Sequence, residues 1–207
     1  MSFFVKKPAT ADYYTWLLRE FGPQSPLALG WHNRESQQLR FEIFARHLNL
    51  AGKTVLDIGC GLADFYAYLA SRGISCHYIG VDITPSMVEV ARQRYPGIDI
   101  RLEDAMDTGF SISADIVVFS GTFNYRVPSH DAFLKRVITR LWGFSREALA
   151  FNVLSAITPH NTKDPHLAYI QPSRILTLAQ QFTPFVRLDH SYLIHDFTTV
   201  MYRHLPA

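Results

Sequence analysis

Val55-Leu56-Asp57-Ile58-Gly59-Cys60-Gly61-Leu62-Ala63 is the stretch on which the fold turns. A short, nearly all-apolar run ends in two glycines one residue apart, as a strand buried on both faces does. Glycine accepts positive φ and lets a ligand come close to the backbone. Beyond the glycines, Leu62, Phe65 and Leu69 recur at helical spacing, so the loop joins a strand to a helix N-terminus. That junction is where nucleotide-like ligands bind in α/β proteins. The competing reading is a tight turn that binds nothing.

Strand and helix patterns alternate downstream of this loop. The first helix closes at Arg72-Gly73, and Cys76 to Val81 reads as a second strand. Thr84-Pro85 supplies an N-cap and a first-turn proline for a helix that buries Val88, Ala91 and Tyr95. Ile98 to Leu102 is a third strand, and Ala114 to Phe119 a fourth. Ser129 is expected to cap a helix with Leu134, Val137, Ile138 and Leu141 on one face, and Gly143 to lie just past its end. Ala148 to Leu154 is a fifth strand, and Pro172-Ser173 opens a last helix. Phe185 to Ile194 and Phe197 to Arg203 are separated only by His195-Asp196, which forces an antiparallel hairpin.

Upstream, helices are expected over about Ala11 to Phe21 and Arg34 to Asn49, with Pro23 to Asn33 a loop carrying Leu29-Gly30-Trp31. The boundary falls near Ala51-Gly52-Lys53, giving an N-terminal helical cover over residues 1–50 and a core over 51–207, both in one domain. Alternation of this kind predicts an α/β fold, a doubly wound Rossmann-like sheet of seven strands with the last strand antiparallel. Ligands then lie outside the carboxyl ends of the strands, near Gly59 to Ala63, Asp82, Asp104 and Ser120 to Tyr125.

A dinucleotide fingerprint, G-x-G-x-x-G, would need a third glycine where this chain has Asp64. A carboxylate there repels a pyrophosphate, whereas a ligand that is cationic and lacks phosphate tolerates it. The segment Asp57-Ile58-Gly59-Cys60-Gly61-Leu62-Ala63 resembles the glycine-rich signature of class I S-adenosylmethionine-dependent methyltransferases, with Ala63 replacing a common glycine. Gly80-Val81-Asp82 and Glu103-Asp104-Ala105 resemble the family's acidic residues after the second and third strands, and the final hairpin agrees with its antiparallel seventh strand.

The resemblance implies S-adenosyl-L-methionine as cofactor and a role for each match. Asp57, Gly59, Cys60 and Gly61 belong to the cofactor loop, where Asp57 either orients the loop or meets the ligand. Asp82 would accept from both ribose hydroxyls. Asp104 would accept from the adenine amino group, with the Ala105 N–H donating to the ring; the alternative for Asp104 is a turn cap. Ile83 and Met87 would touch adenine, and carbonyls near Gly59 and Ser120 would accept from the methionine ammonium. Trp31 could cover the sulfonium and Arg40 meet the methionine carboxylate; the alternatives are a packing residue and a solvent charge.

The stretch Ser120-Gly121-Thr122-Phe123-Asn124-Tyr125 lacks the Asn-Pro-Pro-Tyr of amide- and base-directed enzymes, and Gly121 and Thr122 are expected to leave room for a small-molecule acceptor. Candidates for catalysis are Tyr125 and, in the loop after the fifth strand, His160, Asp164 and His166. A histidine oriented by a carboxylate makes a general base; a metal site and plain solvation are the other readings, and no metal ligand is assigned. Arg126 is a further residue to touch the acceptor, while His190 and His195 are expected at the surface.

Composition fits this picture. The 207 residues are 48% hydrophobic and 18% charged, with a formal net charge of +2. That balance excludes disorder and gives no global field drawing the chain onto nucleic acid. Cys60 and Cys76 make neither a disulfide framework nor a zinc pattern. The start lacks a signal-peptide core, and no run approaches the roughly 18 apolar residues of a membrane span, so a cytoplasmic protein is expected. A nicotinamide-dependent oxidoreductase, a macromolecule-directed methyltransferase and a cofactor-binding protein without turnover remain alternatives. The short N-terminal cover favours a compact acceptor or a pocket completed by a neighbouring subunit in a homodimer.

Overall fold

The computed structural model describes residues 7–159 and 162–206, with side chains from residue 10. Seven strands form one sheet: β1 (Thr54–Ile58), β2 (His77–Asp82), β3 (Asp99–Leu102), β4 (Ala114–Ser120), β5 (Ser145–Leu154), β6 (Val186–Leu193) and β7 (Asp196–Tyr202). Their order is β3-β2-β1-β4-β5-β7-β6. The first five are parallel, and β7 runs antiparallel to both β5 and β6. The doubly wound Rossmann-like architecture expected from the alternation is therefore the observed one.

Helices cover both faces, which is why the central strands are apolar at successive positions rather than alternate ones. Val55, Ile116, Val118 and Ala150 face α2 (Arg34–His47), α3 (Asp64–Ser71) and α4 (Pro85–Arg94), where Phe41, Phe44, Leu69 and Val88 are buried. Leu56, Val117, Phe119 and Phe151 face α5 (His130–Phe144) and α6 (Pro172–Ala179) through Leu134, Ile138, Leu141 and Ile175. The remaining helix, α1 (Lys7–Phe21), lies over the strand ends, with Leu18 packed against Ala28, Leu62 and Met87.

Several local expectations are corrected. Helix α1 begins four residues before Ala11, and a 3-10 turn, Pro26–Leu29, interrupts the following loop. Gly143 lies inside α5, which continues to Phe144 and passes directly into β5. The terminal carbonyl of Trp142 is taken by the Ser145 hydroxyl and by the Arg203 guanidinium, which also lies 3.8 Å from the Trp142 ring. A tertiary arginine thus satisfies the carbonyl that a C-terminal glycine motif satisfies elsewhere. Ser129 and Thr84 occupy N-cap positions, but neither makes a side-chain capping bond, and Ser129 has φ 54°. In the hairpin, Asp196 already belongs to β7, paired with Leu193 and Leu154, so Ile194 and His195 form the turn.

Helix α2 is fastened to the hairpin by polar contacts. Arg40 and Asp196 form a buried ion pair, 2.9 Å between Nη2 and Oδ2. His47 bonds Asp189 at 2.7 Å through Nε2 and Arg187 at 2.9 Å through Nδ1. Burial alone would raise the Asp189 pKa, but hydrogen bonds from His47 and Ser191 outweigh it and hold it at about 2, against 3.8 in an open chain. The unfolded chain binds this proton more readily, so the contact stabilises the fold above about pH 4 and is lost as pH falls toward 2. Thermal melts across pH should show Asp189→Asn destabilised most near neutrality, with its deficit against the native chain closing at acid pH. A deficit independent of pH would contradict the assignment.

Candidate active site

The parallel strands leave the sheet at one edge, and a cavity of about 1080 Å³ opens there. Its floor is the loop after β1. Gly59 and Gly61 take φ of 71° and 54°, and the Gly59 and Cys60 amides donate to the Val81 carbonyl. A side chain at Gly59 would place Cβ 2.4 Å from Thr122, and one at Gly61 would lie 2.7 Å from Leu29. Ala63 adopts φ 59° at the start of α3, a left-handed conformation that glycine would hold without steric cost.

Carboxylates surround this loop. Asp82, at the end of β2, accepts from the Gly61 amide at 2.9 Å and from the Thr84 amide at 2.8 Å. Burial raises its pKa, and those two backbone donors hold part of the rise back. Each oxygen keeps acceptor capacity toward the cavity. Asp57 lies beneath the loop, bonded by the Tyr78 hydroxyl at 2.6 Å. Burial pushes its pKa up to about 7, the Tyr78 bond draws it down, and Asp82 adds to the rise. Asp64 lines the cavity but is no isolated charge, since Gln37 and Arg94 approach it at 3.1 and 3.5 Å.

Asp104 lines the same cavity and also caps a turn, accepting from the Met106 amide at 2.7 Å. Ala105 is buried, and its carbonyl is held by Arg140 from α5. Ile83 and Met87 line the wall near Asp82, and Cys60 is buried with its sulfur against Gly80. Ser120 is positioned by Asn152 of β5, whose Oδ1 also accepts from the Gly121 amide at 3.0 Å. That buried asparagine escaped the sequence reading because nothing local marks a residue of a central strand as a loop support.

The roof comes from the N-terminal helices. The Trp31 ring lies against Gly121, where a Cβ would come within 2.6 Å of it, and the Arg40 guanidinium stacks 4.5 Å from its centre. The Thr122 hydroxyl turns inward to the Ile58 carbonyl at 2.9 Å. The expectation that Gly121 and Thr122 leave room for an acceptor is therefore corrected: Trp31 fills the first and Thr122 packs onto Gly59. Arg40 is buried beside Asp196, which removes its reading as a solvent charge.

Residues of α1 and of two loops line the rest of the cavity. Tyr125 meets Tyr13 and Tyr14 edge to face, with centroids 5.8 and 6.4 Å away, and burial raises its pKa and that of Tyr14. The segment at 124–126 is bridged to 166–168, through Arg126 N to His166 O and Ala168 N to Asn124 O, both 2.8 Å. Asp164 and His166 line this part, but Asp164 accepts the backbone amide of His166 at 2.8 Å as a turn contact. His160 lies outside the described residues. Among the described residues, no group of three or more His, Cys, Asp or Glu is placed to hold a metal ion. His195, expected at the surface, lines the cavity instead, and so do Tyr13, Tyr14 and Thr158, which no local pattern singled out.

Residues 55–141 match the methyltransferase domain family. A Mycobacterium tuberculosis protein classed as a methyltransferase is 30% identical over 156 residues, 72% of this chain and 92% of that protein. The trans-aconitate 2-methyltransferase of Methylobacterium radiotolerans is 29% identical over 124 residues, 60% of this chain but 45% of the relative. The solved structure of magnesium protoporphyrin IX methyltransferase from Synechocystis with bound SAM superposes with a TM-score of 0.68, covering 97% of this chain and 98% of that one at 15% identity. The chain belongs to the class I S-adenosylmethionine-dependent methyltransferases, which sets aside the nicotinamide-dependent alternative.

The donor set fits the family's cofactor, S-adenosylmethionine. Asp57, Asp64, Asp82, Glu103 and Asp104 all line the cavity around the glycine loop, so this part of it presents acceptors to a cation and a diol. Asp57 makes a measurable signature. Its folded pKa of about 7 exceeds the open-chain 3.8, so the folded state binds more protons between these values and loses stability as pH rises through them. Asp57→Asn, in the cofactor-free protein, should therefore gain stability relative to the native chain from pH 5 to pH 8 in thermal melts. A gap that stays constant with pH would count against a protonated Asp57.

Proposed function

We propose that this methyltransferase acts on a small-molecule acceptor, with residues 1–50 as a cover on the core of 51–207. The observation that carries the reading is the continuity of one cavity of about 1080 Å³ from the glycine loop to the chamber at Tyr125, Asp164 and His166. Pockets that enclose a single drug-sized ligand span roughly 300–1,000 Å³, so this one has room for a cofactor and a compact acceptor together. Tyr13, Tyr14 and Trp31 roof it, an arrangement suited to a substrate that enters whole rather than one presented on a macromolecular surface.

In this reading Asp82 holds the ribose hydroxyls, Asp104 and the Ala105 amide hold the adenine edge, and Ile83 and Met87 pack on its faces. Gly59, Cys60 and Gly61 admit the methionine end to the backbone, and Ser120 contributes its carbonyl there. When bound, the cofactor supplies an electrophilic methyl carbon. The chain's own contribution is to hold the acceptor in line with that carbon and to keep water out, which accounts for much of the barrier in a one-step transfer. Asp164 or His166 would take the acceptor's proton where one must leave, and Tyr125, whose hydroxyl stays protonated, would orient the acceptor.

Calorimetric titration with S-adenosylhomocysteine, S-adenosylmethionine and NAD tests the cofactor half. Micromolar binding of the first two is expected, weakened about 10- to 100-fold in Asp82→Ala, the scale of hydrogen bonds to a charged group. Unchanged affinity in that variant would overturn the ribose assignment. Transfer of labelled methyl to small acids, phenols or amines, compared with nucleic acid and protein, tests the acceptor half; labelling of macromolecules alone would refute it.

A further inference from the structure

Helix α1 turns one face to the protein and leaves the other bare. Leu17 and Leu18 are buried, Tyr14 meets Tyr125, and the hydroxyls of Thr15 and Ser86 bond at 2.9 Å. The opposite face carries Asp12, Tyr13, Trp16, Arg19 and Glu20, all exposed. Their spacing, i, i+1, i+4, i+7 and i+8, sets them on one stripe of a helix with Trp16 at its centre. Among the described residues, eight large apolar side chains stand exposed. Four of them, Tyr13, Trp16, Phe21 and Leu27, belong to α1 or to the 3-10 turn packed on it. The Trp16 ring lies 6.1 Å from that of Tyr13 and 6.3 Å from that of Phe21, so the aromatic surface is continuous. A bare patch of this kind marks an interaction surface.

The charges around Trp16 indicate what fits there. Asp12 lies about 6 Å before Trp16 along the axis and Arg19 about 4.5 Å after it, on the same side of the stripe. Tyr13 and Glu20 flank Trp16 in the same way on the other side. A two-fold axis crossing the helix at Trp16 brings up a second α1 antiparallel, keeps each residue on its side and reverses its position along the axis. Asp12 then faces the partner's Arg19, Arg19 faces the partner's Asp12, and Trp16 faces its own copy. The two helix dipoles also oppose each other. An anionic lipid surface would ask instead for charge of one sign, and here acids and a base share the stripe.

We propose that this face of α1 is a dimer interface, on which a second copy lays its own α1 antiparallel, with Trp16 on the two-fold and Asp12–Arg19 ion pairs beside it. Tyr13 also lines the cavity and packs on Tyr125, so the interface adjoins the roof of the candidate site. The inference does not depend on which acceptor the enzyme takes.

Sedimentation equilibrium of the full chain at micromolar concentrations tests it, with circular dichroism confirming that each variant folds. The native chain is expected to dimerise reversibly. Trp16→Ala removes the central anchor from both copies and should weaken the dimer by about 100-fold or more. Asp12→Arg and Arg19→Asp each turn two attractive pairs into repulsive ones and should weaken it by about tenfold or more. Mixing these two single variants restores both attractive pairs across the interface, so the mixture should dimerise where neither variant does alone. A native chain that stays monomeric overturns the proposal, and one that is monomeric but floats with phosphatidylcholine vesicles replaces the second copy with a lipid surface. A native dimer indifferent to all three substitutions overturns this face as the interface. Single variants that weaken the dimer and are not rescued by mixing overturn the antiparallel pairing.

Discussion

Five parallel strands release their chains at one edge of the sheet, and the floor of the candidate site follows from that constraint. The loop after β1, Asp82 at the end of β2, Glu103 and Asp104 after β3, and Ser120 at the end of β4 are far apart in sequence, yet all line one cavity. Brought together in an enclosed cavity, the acids repel one another. Here the Gly61 and Thr84 amides hold Asp82, Tyr78 holds Asp57, and Arg94 with Gln37 holds Asp64. Asp82, Asp57 and Asp64 are thus each stabilised by a donor from the protein.

The roof depends on a second set of bonds. Helix α2 carries Arg40 into a buried pairing with Asp196, and its far end joins the hairpin through His47, Asp189 and the Tyr202 hydroxyl on the His47 carbonyl. A buried pair of this kind adds little to net stability against an apolar replacement, but removing one partner costs about 3–5 kcal/mol. Its use here is placement. Arg40 supports the Trp31 ring, and Trp31 in turn needs the bare Cα of Gly121. The antiparallel hairpin at the end of the chain therefore positions a residue of the cavity roof near its beginning.

Strand and helix order was legible because apolar runs of five to seven residues, broken by glycine and proline, have few other physical readings. The glycine loop and the acids after β2 and β3 were legible for a related reason. Tight turns and carboxylates at strand ends have local causes, visible within a few residues. Boundaries failed where a distant group replaced a local one. Arg203 ends α5 in place of Gly143, and Asp196 joins β7 because Leu154 pairs with it.

The sequence by itself determined the fold class, the edge at which the cavity opens and the acidic lining that favours a cationic, phosphate-free ligand. Only the tertiary structure decided what covers that edge: Tyr13 and Tyr14 against Tyr125, Trp31 against Gly121, and His195 and Thr158 within the cavity rather than on the surface. The physical reason is range. Backbone propensity and apolar periodicity act over one or two turns, whereas the contacts that shape a pocket join residues whose separation along the chain carries no pattern.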